Sequence, residues 1–148
     1  MAIAPTVTPL EDLTPAAGHI ATIPPPEVDE DEVVVTEQDA RFLRGLYTTR
    51  HEVLADEPES KGGTDQGPTP YDLLLMSLGA CTSMTLRMYA NHKSLAVNDI
   101  QVRLRHSRIH AEDCEDCESK NGQIEQLERH ISYKGNLTET EQQRFLEI

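Results

Sequence analysis

Residues 67–90 read GPTPYDLLLMSLGACTSMTLRMYA, and this stretch predicts the central element of the fold, a long helix. Thr69 is a favoured N-cap residue, Pro70 suits the first helical position, and Asp72 suits the first turn, where the helix macrodipole is positive. The rest of the stretch is apolar around most of the helix circumference, which predicts a helix buried on all sides. Gly79 inside a helix costs about 1 kcal/mol relative to alanine, so we expect another element to pack closely against it.

Short strand-like segments precede this helix. Residues 33–36 are β-branched and predict a strand. Residues 42–55 indicate either one strand with both faces partly covered or a hairpin bent at Gly45, and a breaker follows at residues 56–58. Residues 60–68 contain three glycines and one proline and predict a loop.

Two more strands and a second helix are predicted after the long helix. Apolar residues alternate along each strand, at Ile100, Val102 and Leu104 and then at Leu127, Ile131 and Tyr133. Residues 138–141 form a capping-box sequence, and the apolar residues of the helix that follows crowd its end. We interpret this end as unfinished, so that either the sequence is truncated or something else covers it. Grouped strands separated by helices favour an α+β fold.

The composition excludes several classes of protein. The chain has 148 residues, with 13 Lys and Arg against 26 Asp and Glu, a net charge of −13. Such an acidic chain repels nucleic acid and anionic membrane surfaces. No signal peptide or uninterrupted membrane-length apolar run is evident, so we expect a cytoplasmic protein. Residues 1–32 are rich in proline and acidic residues and predict an extended or loosely ordered arm, and residues 33–148 form the folded domain.

Cys81 is the first candidate for chemistry. Its helical neighbours at intervals of three, four and seven residues form a mostly apolar stripe: Leu74, Ser77, Met84 and Met88. A free cysteine in such a place usually just packs. The alternative is a nucleophilic thiolate facing a hydrophobic pocket, and an arginine from elsewhere would have to activate it, because the helix dipole fades within the first turn.

The sequence around Cys81 resembles the OsmC/Ohr family. The resemblance is carried by residues 67–85, by HEVLADEP at 51–58 and LRMYA at 86–90, and by HSRIHAEDCEDC at 106–117. The last of these is similar to the subgroup sometimes found fused behind an α/β-hydrolase. Together the matches extend over residues 33–148.

The resemblance implies an OsmC-like α+β fold, with antiparallel sheets around a buried central helix and two chains intertwined as a homodimer. It also implies reduction of organic hydroperoxides in oxidative stress defence. Cys81 matches the peroxidatic cysteine, which becomes a sulfenic acid, is resolved by a second cysteine and is restored by a dithiol reductant. The resolving cysteine would follow Ile148 and is not in this sequence, so Cys114 or Cys117 would have to substitute.

The resemblance assigns the remaining site residues less directly. The family's catalytic glutamate lies ten residues before the cysteine, where this sequence has Tyr71, and Asp72 is the nearest carboxylate. Arg50, or failing that Arg44, is the candidate activating arginine. His51 is a candidate for the pocket lining, although a solvated or packed histidine is the more ordinary interpretation. Tyr71 and the missing cysteine favour an alternative function, a non-catalytic protein that binds a small apolar ligand.

Four potential metal ligands lie within twelve residues, at His106, His110, Cys114 and Cys117. They suit a tetrahedral zinc ion by type, but the two histidines are about 13 Å apart on an extended strand. The cysteines could also form a disulfide or redox pair, or remain inert thiols. Their acidic neighbours raise thiol pKa values and favour inert thiols. No other cofactor is expected.

Overall fold

The computed structural model describes residues 25–39, 41–110 and 123–147 of the chain. Within these ranges the elements follow one another as β1 (Val34–Glu37), β2 (Arg44–Tyr47), β3 (Glu52–Ala55), a short 3-10 helix (Glu59–Lys61), α1 (Pro70–His92), β4 (Val97–His110), β5 (Gln123–Gly135) and α2 (Glu139–Leu146). The predicted arm over residues 1–32 and the predicted loop over residues 111–122 lie largely or wholly outside the described residues. The α+β fold class is confirmed.

Strands β1, β2 and β3 form an antiparallel three-stranded sheet in that order. The hairpin alternative is therefore correct, but the bend predicted at Gly45 is wrong. The chain reverses at residues 48–51, where the Thr48 N–H donates to the His51 carbonyl over 2.8 Å and the His51 N–H donates to the Thr48 hydroxyl over 3.0 Å. Gly45 lies inside β2, where a Cβ would stand 2.5 Å from the Tyr47 hydroxyl oxygen.

Helix α1 begins as the sequence predicts. The Thr69 hydroxyl accepts a hydrogen bond from the Asp72 N–H over 3.2 Å, and the Asp72 carboxylate accepts one from the Thr69 N–H over 3.0 Å. This capping box satisfies two N–H groups that the first turn of a helix cannot satisfy itself. At the other end, the Arg87 guanidinium donates to the Val97 carbonyl over 2.7 Å and ties α1 to the start of β4.

Strands β4 and β5 form a long antiparallel hairpin on which α1 lies. Val102 faces Ile131 across the hairpin, so the two predicted alternating patterns fall in one register. A Cβ on Gly79 would lie 3.1 Å from the Leu104 side chain, which is the close approach that the glycine predicted.

Helix α2 also begins with the predicted capping box, here between Thr138 and Glu141. Its Phe145 is 0 % exposed and lies with its ring edge against Tyr133, with 5.5 Å between the ring centroids. Phe145 forms a core cluster with Leu86, Ala90 and Val97. The chain itself therefore covers part of the apolar end of this helix.

Burial of α1 on all sides is not found within one chain. Leu86 and Ala90 are its only buried residues, because β4 and α2 cover one face. The opposite face is open, with exposed fractions of 50 % for Leu74, 72 % for Met84 and 67 % for Met88. By length and composition α1 is the one helix among the described residues that could cross a membrane, a test that core helices also pass.

Candidate functional site

Cys81 lies in the middle of the open face of α1 and is exposed. Leu74 and Met88 stand seven residues before and after it, and Met84 stands three after it, so helical geometry places all four on one side. Ser77, one turn before Cys81, donates its hydroxyl to the Leu74 carbonyl over 3.0 Å. The predicted stripe around the cysteine is therefore present, and it is uncovered rather than packed.

The proposed activating residues do not meet Cys81 within one chain. Among the described residues, no side chain forms a hydrogen bond with its thiol, and Arg50 is exposed in the turn between β2 and β3. The Arg44 guanidinium donates to the carbonyls of Leu43 and Arg41. The Asp72 carboxylate caps α1. These groups act on Cys81 only if another chain brings them to it.

Some of the other predicted site residues line one of two separate cavities. Met84 and Met88 line a cavity of about 560 Å³ between α1 and the start of β4, together with Ile100. Tyr71 and Asp72 line a separate cavity of about 480 Å³ at the amino end of α1. Cys81 is not among the lining residues of either cavity. His51 is exposed at the end of the β2–β3 turn.

Four side chains from three elements meet at the amino end of α1. The Tyr71 ring stacks on the His106 ring, with 4.2 Å between centroids and 11° between planes. The Arg108 Nε donates to Glu125 Oε1 over 2.6 Å, and the His106 Nε2 contacts the other oxygen of the same carboxylate. We call Tyr71, His106, Arg108 and Glu125 the α1-end cluster.

The contacts within the α1-end cluster stabilise its charges. Hydrogen bonding from Arg108, assisted by His106, lowers the pKa of the Glu125 carboxyl below its ordinary value. Hydrogen bonds to Glu125 and to the Tyr71 hydroxyl raise the pKa of the Arg108 guanidinium. Glu125 is therefore ionised at neutral pH and has a partner at each oxygen.

A buried carboxylate holds the loop that precedes α1. Asp56 is 2 % exposed, and its Oδ2 accepts hydrogen bonds from the Thr64 hydroxyl over 2.6 Å and from the Thr64 and Gln66 N–H groups over 3.0 and 3.2 Å. The Thr64 hydroxyl is the largest cause that lowers the pKa of Asp56 from 3.8 to about 2, and the backbone donors add to it. Asp56 thus fixes the loop leading to Thr69.

No group of three or more His, Cys, Asp or Glu side chains that could hold a metal ion occurs in the described part of the chain. His106 and His110 stand four residues apart on the single strand β4, as the sequence predicts. Cys114 and Cys117 lie outside the described residues. The zinc, disulfide and inert-thiol interpretations of that segment all stay predictions.

Sequence reasoning missed Arg108, Glu125 and Asp56. The alternation along β4 already placed Arg108 on the same face as His106. Glu125 required the register of the hairpin, in which it pairs with Arg108. Asp56 was identified only as part of a breaker, and nothing local indicates its burial.

The chain belongs to the OsmC-like protein family, whose sequence model matches residues 63–148, more than half of the chain. This match includes α1, the β4–β5 hairpin and Cys81. No curated protein matches the chain.

Solved structures show the same fold at low sequence identity. An osmotic stress induced and detoxification response protein from Psychrobacter arcticus 273-4 superposes with a TM-score of 0.60 at 16 % identity, over 78 % of each chain. An OsmC-like protein from Mycoplasma pneumoniae superposes with a TM-score of 0.57 at 20 % identity, over 78 % of this chain and 75 % of that one. An organic hydroperoxide resistance protein OsmC from Legionella pneumophila superposes with a TM-score of 0.54 at 15 % identity, over 78 % of this chain and 80 % of that one. The family match and the shared fold agree that the chain is an OsmC-like protein.

Proposed function

We propose that this protein is a thiol-dependent peroxidase that reduces organic hydroperoxides, with Cys81 as its nucleophile. The observation that carries the proposal is the exposed thiol at the centre of an uncovered apolar stripe on α1. An apolar surface beside the reacting thiol favours a hydroperoxide with a hydrocarbon body over a fully polar one. The similarity to a protein named for organic hydroperoxide resistance supports the same substrate class.

The reaction proceeds in two steps. The Cys81 thiolate attacks the terminal hydroxyl oxygen of the hydroperoxide, the O–O bond breaks, and the alkoxide that leaves takes a proton from solvent to become the alcohol. Cys81 is then a sulfenic acid. A dithiol reductant returns it to the thiol, releases the oxygen as water and becomes a disulfide. Cys114 or Cys117 is the candidate for an internal resolving thiol.

The functional unit that we propose is a homodimer. Leu74, Cys81 and Met88 repeat at seven-residue intervals on the open face of α1, the spacing at which two helices pack along a seam. Val35 and Val53 are exposed on β1 and β3 and offer a second apolar surface. A second copy would cover part of each surface and could bring Arg50 or Asp72 to Cys81.

The dimer has a direct test. We expect sedimentation equilibrium to give twice the mass of one chain, and the double variant Met84→Glu, Met88→Glu to sediment as a single chain. Arg103→Glu, on an exposed position of β4, is the control and should leave the dimer intact. A wild-type protein that sediments as a single chain at micromolar concentration would contradict this arrangement.

A second candidate function is a non-catalytic protein that binds a small apolar ligand. It is favoured by the finding that no described residue forms a hydrogen bond with the Cys81 thiol. Metal binding at residues 114–117 is a third alternative, which metal analysis of the purified protein tests directly. The cytoplasmic location stays a prediction.

The deciding experiment is stopped-flow oxidation of the reduced protein by cumene hydroperoxide. We expect oxidation faster than that of free N-acetylcysteine, and its loss in Cys81→Ser. The double variant Cys114→Ser, Cys117→Ser is the matched control and should keep the first step. Oxidation no faster than that of the free thiol would overturn the peroxidase and leave the ligand-binding function.

A further inference from the structure

The cavity at the amino end of α1 is separate from the Cys81 surface within one chain. Tyr71 and Cys81 are ten residues apart on one helix, or about 15 Å along its axis. The cavity volume of about 480 Å³ falls within the range usual for small-molecule sites. Its walls come from the loop before α1, the first turn of α1 and the far half of β4.

The Arg108 guanidinium lines the cavity and has N–H donors beyond the one that binds Glu125. The Arg108 Nε is committed to a hydrogen bond with Glu125. A guanidinium has five N–H donors in a planar fork, so Arg108 retains donors suited to a carboxylate. The hydrogen bond to Glu125 orients the fork before any ligand arrives, which lowers the cost of binding.

Another part of the cavity lining carries an acceptor that lacks a hydrogen-bond donor among the described residues. The Glu57 Oε2 is buried and accepts no hydrogen bond from the described residues. The nearest cation, the Lys61 Nζ, is 3.6 Å from it, beyond ordinary hydrogen-bond length. A buried carboxylate oxygen without a donor is costly, so a ligand ammonium group gains affinity there when the Glu57 side chain, which is 24 % exposed, turns toward the cavity.

The remaining lining groups restrict the ligand further. The Asp72 Oδ2 is occupied, because it accepts capping hydrogen bonds from the Thr69 N–H and hydroxyl. Glu57 and Asp72 balance Lys61 and Arg108 in sign, so the cavity favours a molecule of balanced charge over a strong anion. The half-exposed Tyr71 ring, held against His106, adds a flat surface for an aromatic or amide group.

We propose that this cavity binds a small zwitterionic carboxylic acid of the amino acid type. The ligand carboxylate pairs with Arg108, its ammonium group donates to Glu57, and its side chain lies along the Tyr71 ring. The α1-end cluster acts as the fixed platform of the site. The two groups that hold the ligand charges, Arg108 and Glu57, have no role in the peroxidase chemistry proposed for Cys81.

Three probes test the contribution of each ligand charge to binding by the 148-residue protein. Their affinities are measured by ¹H–¹⁵N chemical-shift titrations. L-Phenylalanine carries both charges, N-acetyl-L-phenylalanine lacks the ammonium group, and L-phenylalaninamide lacks the carboxylate. We expect the zwitterion to bind tightest and each derivative to bind about tenfold more weakly, because each leaves one wall without its partner. Equal affinities for all three probes, or no binding of any at millimolar concentration, would overturn the proposal.

Two variants test which residue binds which charged group of the ligand. Arg108→Gln should weaken L-phenylalanine about tenfold and leave the amide unchanged, whereas Glu57→Gln should weaken L-phenylalanine and leave the N-acetyl derivative unchanged. Arg105→Gln, on the same strand at the opposite parity, is the matched control and should change nothing. If Arg108→Gln does not fold, the isosteric Glu57→Gln still tests whether the cavity binds the ammonium group of the ligand. Affinities that neither variant changes would contradict the assignment.

Discussion

The Tyr71 ring lies parallel to the His106 ring, with their centroids 4.2 Å apart, although the two residues are 35 positions apart in sequence (106 − 71). This contact joins the first turn of α1 to the far half of β4. The Arg108 and Glu125 side chains extend it to the neighbouring strand. The two ends of α1 are therefore anchored differently, by this polar cluster at the start and by the Arg87 hydrogen bond at the end.

Removal of the Tyr71 ring should destabilise the fold moderately. Stacked aromatic pairs contribute about 0.5–1.5 kcal/mol beyond their buried area, so Tyr71→Leu should lower the free energy of unfolding by about 1 kcal/mol. Urea denaturation at a fixed protein concentration measures it. Tyr71→Phe keeps the ring and is the control, since it loses only the hydroxyl. Equal losses in both variants would show that the hydroxyl, not the stack, stabilises the fold.

Thr69, the N-cap of α1, should contribute more to the free energy of unfolding than Thr82, which lies within the helix. Thr69→Ala removes the acceptor for the Asp72 N–H and should cost about 1 kcal/mol of unfolding free energy. Thr82→Ala is the matched control, because the Thr82 hydroxyl only donates to the Leu78 carbonyl one turn back. Thermal unfolding of both variants tests this. A Thr82→Ala loss as large as that of Thr69→Ala would contradict the capping role.

Phe145 should be the residue that docks α2. It is fully buried against Tyr133, so Phe145→Ala should cost about 3–5 kcal/mol. The neighbouring Leu146 is exposed, and Leu146→Ala should change stability by less than about 0.5 kcal/mol. Chemical denaturation followed by circular dichroism distinguishes the two. Similar losses at both positions would mean that α2 is not docked as described.

The buried Asp56 should make the fold sensitive to acid. Its pKa in the folded state is about 2, below the ordinary 3.8, because the Thr64 hydroxyl and nearby N–H groups bind the ionised form. Its stabilisation is therefore complete above about pH 4 and is lost as the pH falls from 3.8 through about 2. Asp56→Asn should be less stable at neutral pH, and its difference from the wild type should shrink over this range.

The control for Asp56 lies in the same loop. Asp65 is exposed and has a φ of 56°, a conformation that asparagine also tolerates, so Asp65→Asn keeps the backbone and removes an unburied charge. Urea midpoints measured from pH 7 to pH 2 should converge for Asp56→Asn and the wild type, but run parallel for Asp65→Asn. Parallel curves for both variants would contradict the role of Asp56.

Local chemistry made most of the elements predictable. The cap at Thr69, the glycine-rich loop before it and the alternation along β4 each depend on residues within one or two turns of one another. The bend predicted at Gly45 is wrong because this glycine makes room inside β2 for the Tyr47 hydroxyl, two residues further along the same strand, and does not form a turn. Apolar helical spacing alone also could not reveal that one face of α1 stays open.

The sequence alone determined the helix caps, the strand parities, the α+β class and the identity of Cys81 as the residue to test. Only the tertiary structure decided that Arg108 meets Glu125, that Asp56 is buried, and that Cys81 lies on an uncovered stripe. Caps and alternation are set by neighbouring residues, whose contacts hold in any fold that contains the element. Pairings across a hairpin and burial depend on register and packing between distant segments, which no local pattern specifies.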